Sequence, residues 1–138
     1  MNIDAIQNGI VIDHIPAGCG MKLYDMLHLD RLDCAVAIIK NAHSNTDGKK
    51  DIIKIDGEID LNLDLIGYFA PNAKINIIRD GKLLEKRAAT LPQVLTNVIQ
   101  CKNPRCITTV EQELHQVFRL DDPEQRVYRC IYCETKAN

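Results

Sequence analysis

The apolar positions in the first two thirds of the chain alternate between short β-branched runs and stretches with helical spacing. Residues 9–12 (GIVI) are typical of a buried strand, and Pro16 closes the run. Leu23 and Leu27 lie one helical turn apart in a second segment. The same criteria applied along the chain predict strands at residues 8–15, 34–39, 51–55, 74–78 and 82–87 and helices at residues 18–27 and 58–70.

Local signals refine these elements. Asp60 is a suitable N-cap for the second helix, and Pro71 is a suitable stop. The polar residues 41–50 are typical of a loop, whereas Asp80-Gly81 predicts a tight hairpin. The order β-α-β-β-α-β-β predicts an α+β fold, with a ferredoxin-like antiparallel sheet and two helices on one of its faces.

The last third of the chain has a different character. Leu91-Pro92 marks a boundary, which divides the chain into domains at residues 1–92 and 93–138. The second domain has short strand-like runs at residues 117–120 and 127–131, and it is too small to form a sufficient apolar core by itself. Leu95 and its apolar neighbours in residues 91–99 are expected to pack between the two domains.

Four of the six cysteines fall in this small all-β domain. Cys101 and Cys106 form a C-x4-C pair, and Cys130 and Cys133 form a C-x2-C pair. Two close pairs can bring four thiolates into a tetrahedron around one structural Zn²⁺, which would supply the missing stability. Four buried cysteines without a metal are the alternative. A four-thiolate site has no open position for water, which argues against zinc hydrolysis, and His115 is interpreted as a surface residue.

Composition narrows the classes of function. Of 138 residues, 46% are hydrophobic and 26% charged, which is typical of a folded globular protein. A net charge of −2 and 4% aromatic residues argue against nucleic acid and membrane partners. Asp4 without a preceding basic segment argues against a secretory signal, so we expect a cytoplasmic protein with reduced thiols.

A second candidate site combines polar residues of the first domain. Asp13 and His14 follow the first apolar run, Lys54 interrupts another, and Lys86 lies in the last strand. In one interpretation these residues cap strands or extend from sheet edges. In the other they form an anion site, in which cations bind a polyphosphate and the carboxylate accepts hydrogen bonds from ribose hydroxyls. Neither a Walker-type loop nor a G-x-G-x-x-G loop is present in the sequence.

An ordered set of motifs carries a resemblance that covers essentially the whole chain. The sequence resembles the regulatory chain of aspartate carbamoyltransferase. The matching segments are GIVIDHIP at residues 9–16, GMKL at 20–23, KDIIKI at 50–55, YFAP at 68–71, AKIN at 73–76, LP at 91–92, the C-x4-C pair and CIYCE at 130–134.

This resemblance implies a non-catalytic regulatory subunit that binds ATP and CTP, with UTP as a further candidate, and modulates the first committed step of pyrimidine biosynthesis. It implies regulatory-chain homodimers, three of which join two catalytic trimers, with the zinc domain contacting the catalytic chain. The implied nucleotide contacts are Asp13 and Lys54 with the ribose and base edge, His14 and Lys86 with the triphosphate, Ile6 and Ile78 with the base, backbone groups near Ile6 and Gly81 with the base edge, and Leu83 beside the phosphates.

A zinc-ribbon protein that binds nucleic acid is the alternative from a different class. Such ribbons often carry four cysteines, and Lys102 and Arg105 lie in the first pair. Residues 98–138 nevertheless contain six Lys and Arg against six Asp and Glu, so the count predicts no basic face.

Overall fold

The computed structural model describes residues 6–46 and 48–137. The chain divides into two compact units, Met1–Thr90 and Leu91–Asn138. The interpretation of the chain start, which depends on Asp4, lies outside the described residues. None of the helices in the described ranges has the length and apolar character needed to cross a membrane.

The first unit is a five-stranded antiparallel sheet in the order β2-β3-β1-β4-β5. Without β5, this is the strand order of a ferredoxin-like fold, and β5 extends the sheet through the predicted Asp80-Gly81 hairpin. The predicted fold class is therefore confirmed. Its elements are β1 (Gly9–Pro16), α1 (Gly20–Met26), a 3-10 turn (Leu29–Arg31), β2 (Val36–Ser44), β3 (Gly48–Ile55), α2 (Leu63–Phe69), β4 (Lys74–Arg79) and β5 (Lys82–Ala88).

The core of this unit forms on one face of the sheet. Side chains alternate between the faces of a strand, so the buried residues of β1, β3 and β4 share a face. The apolar side chains that α1 and α2 bury complete this core, and within residues 6–46 and 48–90 no helix covers the other face. The buried residues are Ile10, Ile12, Ile53, Ile55 and Ile75 from the strands and Leu23, Leu65 and Ile66 from the helices.

Two local predictions are wrong. The polar residues 41–50 form strands almost throughout, because β2 continues to Ser44 and β3 begins at Gly48. This polar hairpin includes part of an edge strand with exposed positions, where polar side chains remain solvated. The second helix begins at Leu63 rather than residue 58, and its cap is Asn62, whose Oδ1 accepts a hydrogen bond from the Leu65 N–H at 3.2 Å.

The second unit is a three-stranded antiparallel sheet in the order β6-β7-β8 with one short helix. Its elements are β6 (Val94–Thr96), α3 (Ile107–Val110), β7 (Val117–Asp122) and β8 (Val127–Cys130). Leu95 pairs with Phe118 and is fully buried, so it contributes to the core of this unit. The hydroxyl of buried Tyr128 donates to the Pro92 carbonyl and fixes the start of the unit.

Candidate functional site

A β-bulge in β1 places Asp13 and His14 outside the core. Ile12 pairs with Ile53 and Ile15 pairs with Asp51, so two residues of β1 oppose one residue of β3. Because of the extra residue, both Ile12 and Ile15 are fully buried. His14 adopts a left-handed backbone conformation with φ +57°, and its N–H donates to Asp13 Oδ1 at 2.6 Å.

The lysines of the sequence analysis lie in one row across the sheet. Val11 pairs with Lys54 on one side and with Asn76 on the other, and Asn76 pairs with Lys86. Directly paired residues project from the same face, so this row lies on the face opposite the helices. Asp13 lies two positions from Val11 along β1 and shares that face. Neighbouring strands are about 4.8 Å apart, which separates Lys54 and Lys86 by about 14 Å along the backbone row.

Asp13 has a cationic partner that the sequence analysis missed. Lys50 Nζ lies 3.0 Å from Asp13 Oδ1, with both side chains mostly buried. Burial opposes ionisation of Asp13, but the hydrogen bonds from Lys50 and from the His14 N–H outweigh burial and lower the pKa of this carboxyl. Asp13 is therefore a carboxylate at neutral pH. Lys50 is the last residue of the polar run 41–50 and carried no signal of its own, because only the strand register brings it to Asp13.

Asn76 is the second residue that sequence reasoning missed. Its Oδ1 is buried and has no hydrogen-bond partner among the described residues. A buried acceptor without a partner is costly, and a bound molecule with a hydrogen-bond donor would relieve that cost. The sequence could have indicated Asn76 only as a polar residue in the apolar strand β4.

The apolar candidates lie beside the polar row, two residues further along strands β1 and β4 from Val11 and Asn76. Gly9 pairs with Ile78, which in turn pairs with Leu83, a residue that is 60% exposed. A Cβ atom added to Gly9 would lie 2.9 Å from the Ile6 side chain and 2.0 Å from the Ile55 carbonyl oxygen, so only glycine fits there. Ile6 and Ile78 thus lie at the same end of the sheet.

The hairpin joining β4 and β5 is tied to the chain that precedes β1. The N–H of Gly81 donates to the Gln7 carbonyl oxygen at 2.9 Å, and the Asp80 N–H donates to Asn8 Oδ1 at 3.2 Å. Gly81 has φ +75°, which suits glycine at this turn. The structure therefore brings Gly81 close to the segment that contains Ile6.

The four cysteines predicted to bind metal converge in the second unit. Their sulfur atoms all lie within 4.8 Å of one another, with Cys101 and Cys133 at 3.5 Å and Cys106 and Cys130 at 3.7 Å. Sulfurs bound tetrahedrally at about 2.3 Å from one metal ion are about 3.8 Å apart. A disulfide would need about 2.05 Å. The spacing therefore fits a shared metal ion.

Burial and hydrogen bonds shift the pKa values of the thiols in this cluster in different directions. Burial raises the pKa of Cys101 to about 12, whereas the neighbouring Thr135 hydroxyl lowers that of Cys133 to about 6. The Thr108 hydroxyl donates to the Cys106 sulfur at 3.1 Å. Cys106 and Cys130 are buried, so solvent has little access to their side of the cluster. A cation at the centre would stabilise all four thiolates together.

His115 is not part of the metal cluster. It is exposed, and its Nδ1 lies 2.8 Å from the Asn97 side-chain nitrogen.

Several apolar side chains near the cysteines are exposed in this unit. They are Ile107, Val110, Ile131 and Tyr132, with exposed fractions of 50%, 76%, 43% and 42%.

These features define a protein of two compact units, one built on an α+β sheet and the other on a cluster of four cysteines that fits a metal ion. Residues 1–90 match the family model of the aspartate carbamoyltransferase regulatory chain, allosteric domain. Residues 93–138 match its metal binding domain. The chain belongs to the aspartate carbamoyltransferase regulatory chain family, whose members are non-catalytic subunits.

Curated relatives match over nearly their full length. The regulatory chain from Bifidobacterium longum is 44% identical over 137 residues, covering 99% of this chain and 99% of that protein. The chain from Clostridium acetobutylicum is 45% identical over 134 residues, covering 97% and 92%. The chain from Clostridium tetani is 46% identical over 135 residues, covering 97% and 94%. The resemblance predicted from the motifs is confirmed.

Proposed function

We propose that this regulatory chain binds a nucleoside triphosphate on the helix-free face of its first sheet. The observation that supports this most strongly is the row of Lys54, Val11, Asn76 and Lys86 across four strands, with Asp13 on the same face. The two lysines can pair with phosphate oxygens, while the carboxylate and the unpartnered amide oxygen can accept hydrogen bonds from ribose hydroxyls or a base amino group.

Each predicted residue has a role in this proposal. The apolar end near Ile6 and Ile78 receives the base, while backbone groups near Ile6 and Gly81 contact its edge. Asp13 and Lys54 contact the ribose and the base edge. His14 and Lys86 bind the triphosphate, and Leu83 lies beside it. The ligands are ATP and CTP, with UTP as a third candidate, because the phosphate and ribose contacts are common to all three.

The proposed metal is one structural Zn²⁺. Cys101, Cys106, Cys130 and Cys133 form a closed set of four soft ligands, which favours Zn²⁺ over cations that prefer oxygen. Bound there, the ion supplies cross-linking of the two cysteine pairs. The domain boundary that we propose between residues 92 and 93 leaves all four ligands in the second domain.

The proposed partner of the metal-binding domain is the catalytic chain of aspartate carbamoyltransferase. Exposed apolar side chains beside the metal ligands, including Ile107 and Tyr132, suit a protein interface better than solvent. In the proposed assembly, regulatory homodimers join two catalytic trimers through three such dimers. Nucleotide binding then modulates pyrimidine biosynthesis in the cytoplasm, where the six cysteines stay reduced.

The nucleic acid alternative is not favoured by the charges of the second unit. Arg119 is paired with Glu134 at 3.3 Å and Arg129 with Asp121 at 2.9 Å, so two of its six cations are already neutralised. Neither a membrane nor nucleic acid is a partner in this proposal.

Titration calorimetry of the full, metal-loaded chain tests the nucleotide site. We expect ATP and CTP to bind with different affinities at one site, since a pocket distinguishes bases. Duplex DNA should bind weakly and lose affinity steeply with salt. Tight binding of DNA without binding of either nucleotide would overturn the proposal.

Replacing Asp13 tests the ribose contact. In Asp13→Ala, we expect affinity for a ribonucleotide to fall about tenfold, because one hydrogen bond to a charged group is lost. The same substitution should weaken one of the two deoxynucleotides, 2′-deoxy or 3′-deoxy, much less than it weakens the ribonucleotide. That analogue is the one that lacks the hydroxyl group contacted by Asp13. Asp25→Ala, which removes an exposed carboxylate on α1, is the matched control. Equal losses for the ribonucleotide and both analogues would exclude Asp13 from the ribose site.

A further inference from the structure

Asp51 is a fully buried carboxylate in β3 that none of the proposed ligand contacts uses. Asp51 lies on the core face of the sheet, together with Ile53 and Ile55 at alternate positions further along β3. Its Oδ2 accepts hydrogen bonds from the N–H groups of Gly18 at 3.1 Å and Gly20 at 2.9 Å. Three donors in all converge on the side chain, since its Oδ1 accepts from the Asn41 N–H at 3.0 Å.

The position of Asp51 relates these bonds to two irregularities of the sheet. In β2, Ile39 pairs with Ile52 and Ala42 with Lys50, so the bulge of Lys40 and Asn41 lies opposite Asp51 itself. In β1, the bulge of Asp13 and His14 ends at Ile15, the residue that pairs with Asp51. Asp51 therefore adjoins both bulges, and its side chain binds the backbone that follows one and the backbone inside the other.

Both bulges contain a residue in a conformation that needs support. His14 has φ +57° and Asn41 has φ +59°, and the left-handed region is unfavourable for residues with a Cβ atom. Such conformations persist when the surrounding structure holds them. The Asn41 N–H is held directly by Asp51. His14 is held between its own bond to Asp13 and the loop at Gly18–Gly20 that Asp51 anchors.

The packing around Asp51 leaves little freedom. A Cβ atom added to Gly20 would lie 2.8 Å from Asp51 Oδ2 and 2.9 Å from its Cβ. Because Gly20 has no side chain, the Asp51 carboxyl group can approach the backbone at the start of α1, where Cys19 provides no side-chain cap. The carboxyl group is fully buried, and its two bonds to Gly18 and Gly20 hold the loop that follows β1.

We propose that Asp51 is a positioning residue, which fixes the Asp13–His14 bulge in the conformation that binds the phosphate and ribose groups of the nucleotide. The inference rests on the proposed nucleotide site. It adds that a core residue, without ligand contact, determines how well His14 and Asp13 meet the ligand, while Lys86 on β5 is independent of it.

Asp51→Asn tests this role with little change in volume. An amide keeps one acceptor oxygen but turns an NH₂ group toward backbone N–H donors, so at least one of the three bonds is lost. We expect triphosphate affinity of the full, metal-loaded chain to fall about tenfold, because losing one such bond leaves the bulge in its binding conformation in only about a tenth of the molecules. An unphosphorylated 2′,3′-dideoxynucleoside has neither the phosphates nor the ribose hydroxyls that His14 and Asp13 are proposed to contact. Its affinity should fall less than about twofold, which is about the precision of such measurements.

Ile53→Val is the matched control, because it removes one methylene from a fully buried residue of the same strand face without touching a hydrogen bond. Both variants lower the midpoint of thermal unfolding, and binding is measured well below that midpoint. A purely structural role for Asp51 predicts that both variants bind both ligands normally. That result with Asp51→Asn would overturn the inference, as would equal losses for the two ligands.

A measurement on the unmodified chain applies even if Asp51→Asn fails to fold. Triphosphate should slow amide hydrogen exchange at Gly18, Gly20 and Asn41, and the dideoxynucleoside should not, because ligand contact with the bulge stabilises the bonds to Asp51. Unchanged exchange with saturating triphosphate would overturn the inference alone. If the unmodified chain binds no triphosphate, the proposed nucleotide site fails and the inference fails with it.

Discussion

Removing the metal from the cysteine cluster should unfold the second unit and leave the first unit folded. The second unit has few buried apolar side chains, chiefly Leu95, Phe118 and Tyr128. Without the ion, thiolates at 3.5 to 3.7 Å from one another repel, and thiols leave the two cysteine pairs unlinked. Structural zinc sites contribute about 10 to 16 kcal/mol of apparent binding free energy, which exceeds the stability of so small a domain.

Amide hydrogen exchange before and after complete chelation measures this effect. Protection should vanish in β7 and β8 and persist in β1 and β3, whose core is independent of the cluster. Cys130→Ser should have the same effect without chelator, whereas Cys19→Ser, outside the cluster, should leave both units protected. Protected amides in β7 and β8 after full removal of metal would contradict the structural role.

Lys86→Ala should weaken triphosphate binding about ten- to a hundredfold and affect the corresponding nucleoside little. The lost interaction is a charge-assisted hydrogen bond with phosphate, which is worth about 1.5 to 3 kcal/mol. Lys86 pairs with Asn76 on the helix-free face, and the nucleoside is proposed to lie further along the row toward Lys54.

Arg87→Ala is the control for Lys86→Ala. Arg87 is the next residue of β5, so its side chain leaves the opposite face, and it is paired with Glu85 at 2.7 Å. Titration calorimetry of both variants with triphosphate and nucleoside separates a direct contact from general loss of positive charge. Equal weakening by the two variants, or equal loss for both ligands with Lys86→Ala, would remove Lys86 from the phosphate site.

The sequence predicted the fold class well because its apolar patterns agree with simple periodicities. The strands around Ile12 and Ile53 and the Asp80-Gly81 turn follow from such local patterns. The strand at residues 94–96 was missed because three residues are too few to show alternation. The start of α2 was misplaced because Asp60 was interpreted as its N-cap, whereas the cap at Asn62 decides where the helix begins.

The metal ligands were easier to predict from the sequence than the residues of the candidate nucleotide site. Cysteine spacing is local, so both pairs are visible in the sequence and the structure brings all four sulfurs together. Lys50 and Asn76 joined the candidate site only through strand register, which no local pattern reveals. Asp51 reads as part of an apolar strand, and its three backbone partners come from two other segments of the chain.

Reconstitution with catalytic trimers of aspartate carbamoyltransferase tests the central claim most directly. The metal-loaded chain is mixed with the trimers, assembly is measured by sedimentation, and activity is measured across aspartate concentrations with and without ATP or CTP. The account predicts a larger complex whose half-saturating aspartate concentration shifts with nucleotide, because nucleotide binding and aspartate binding are coupled through the assembly. A complex that forms but keeps the same aspartate dependence at saturating ATP and CTP would contradict it.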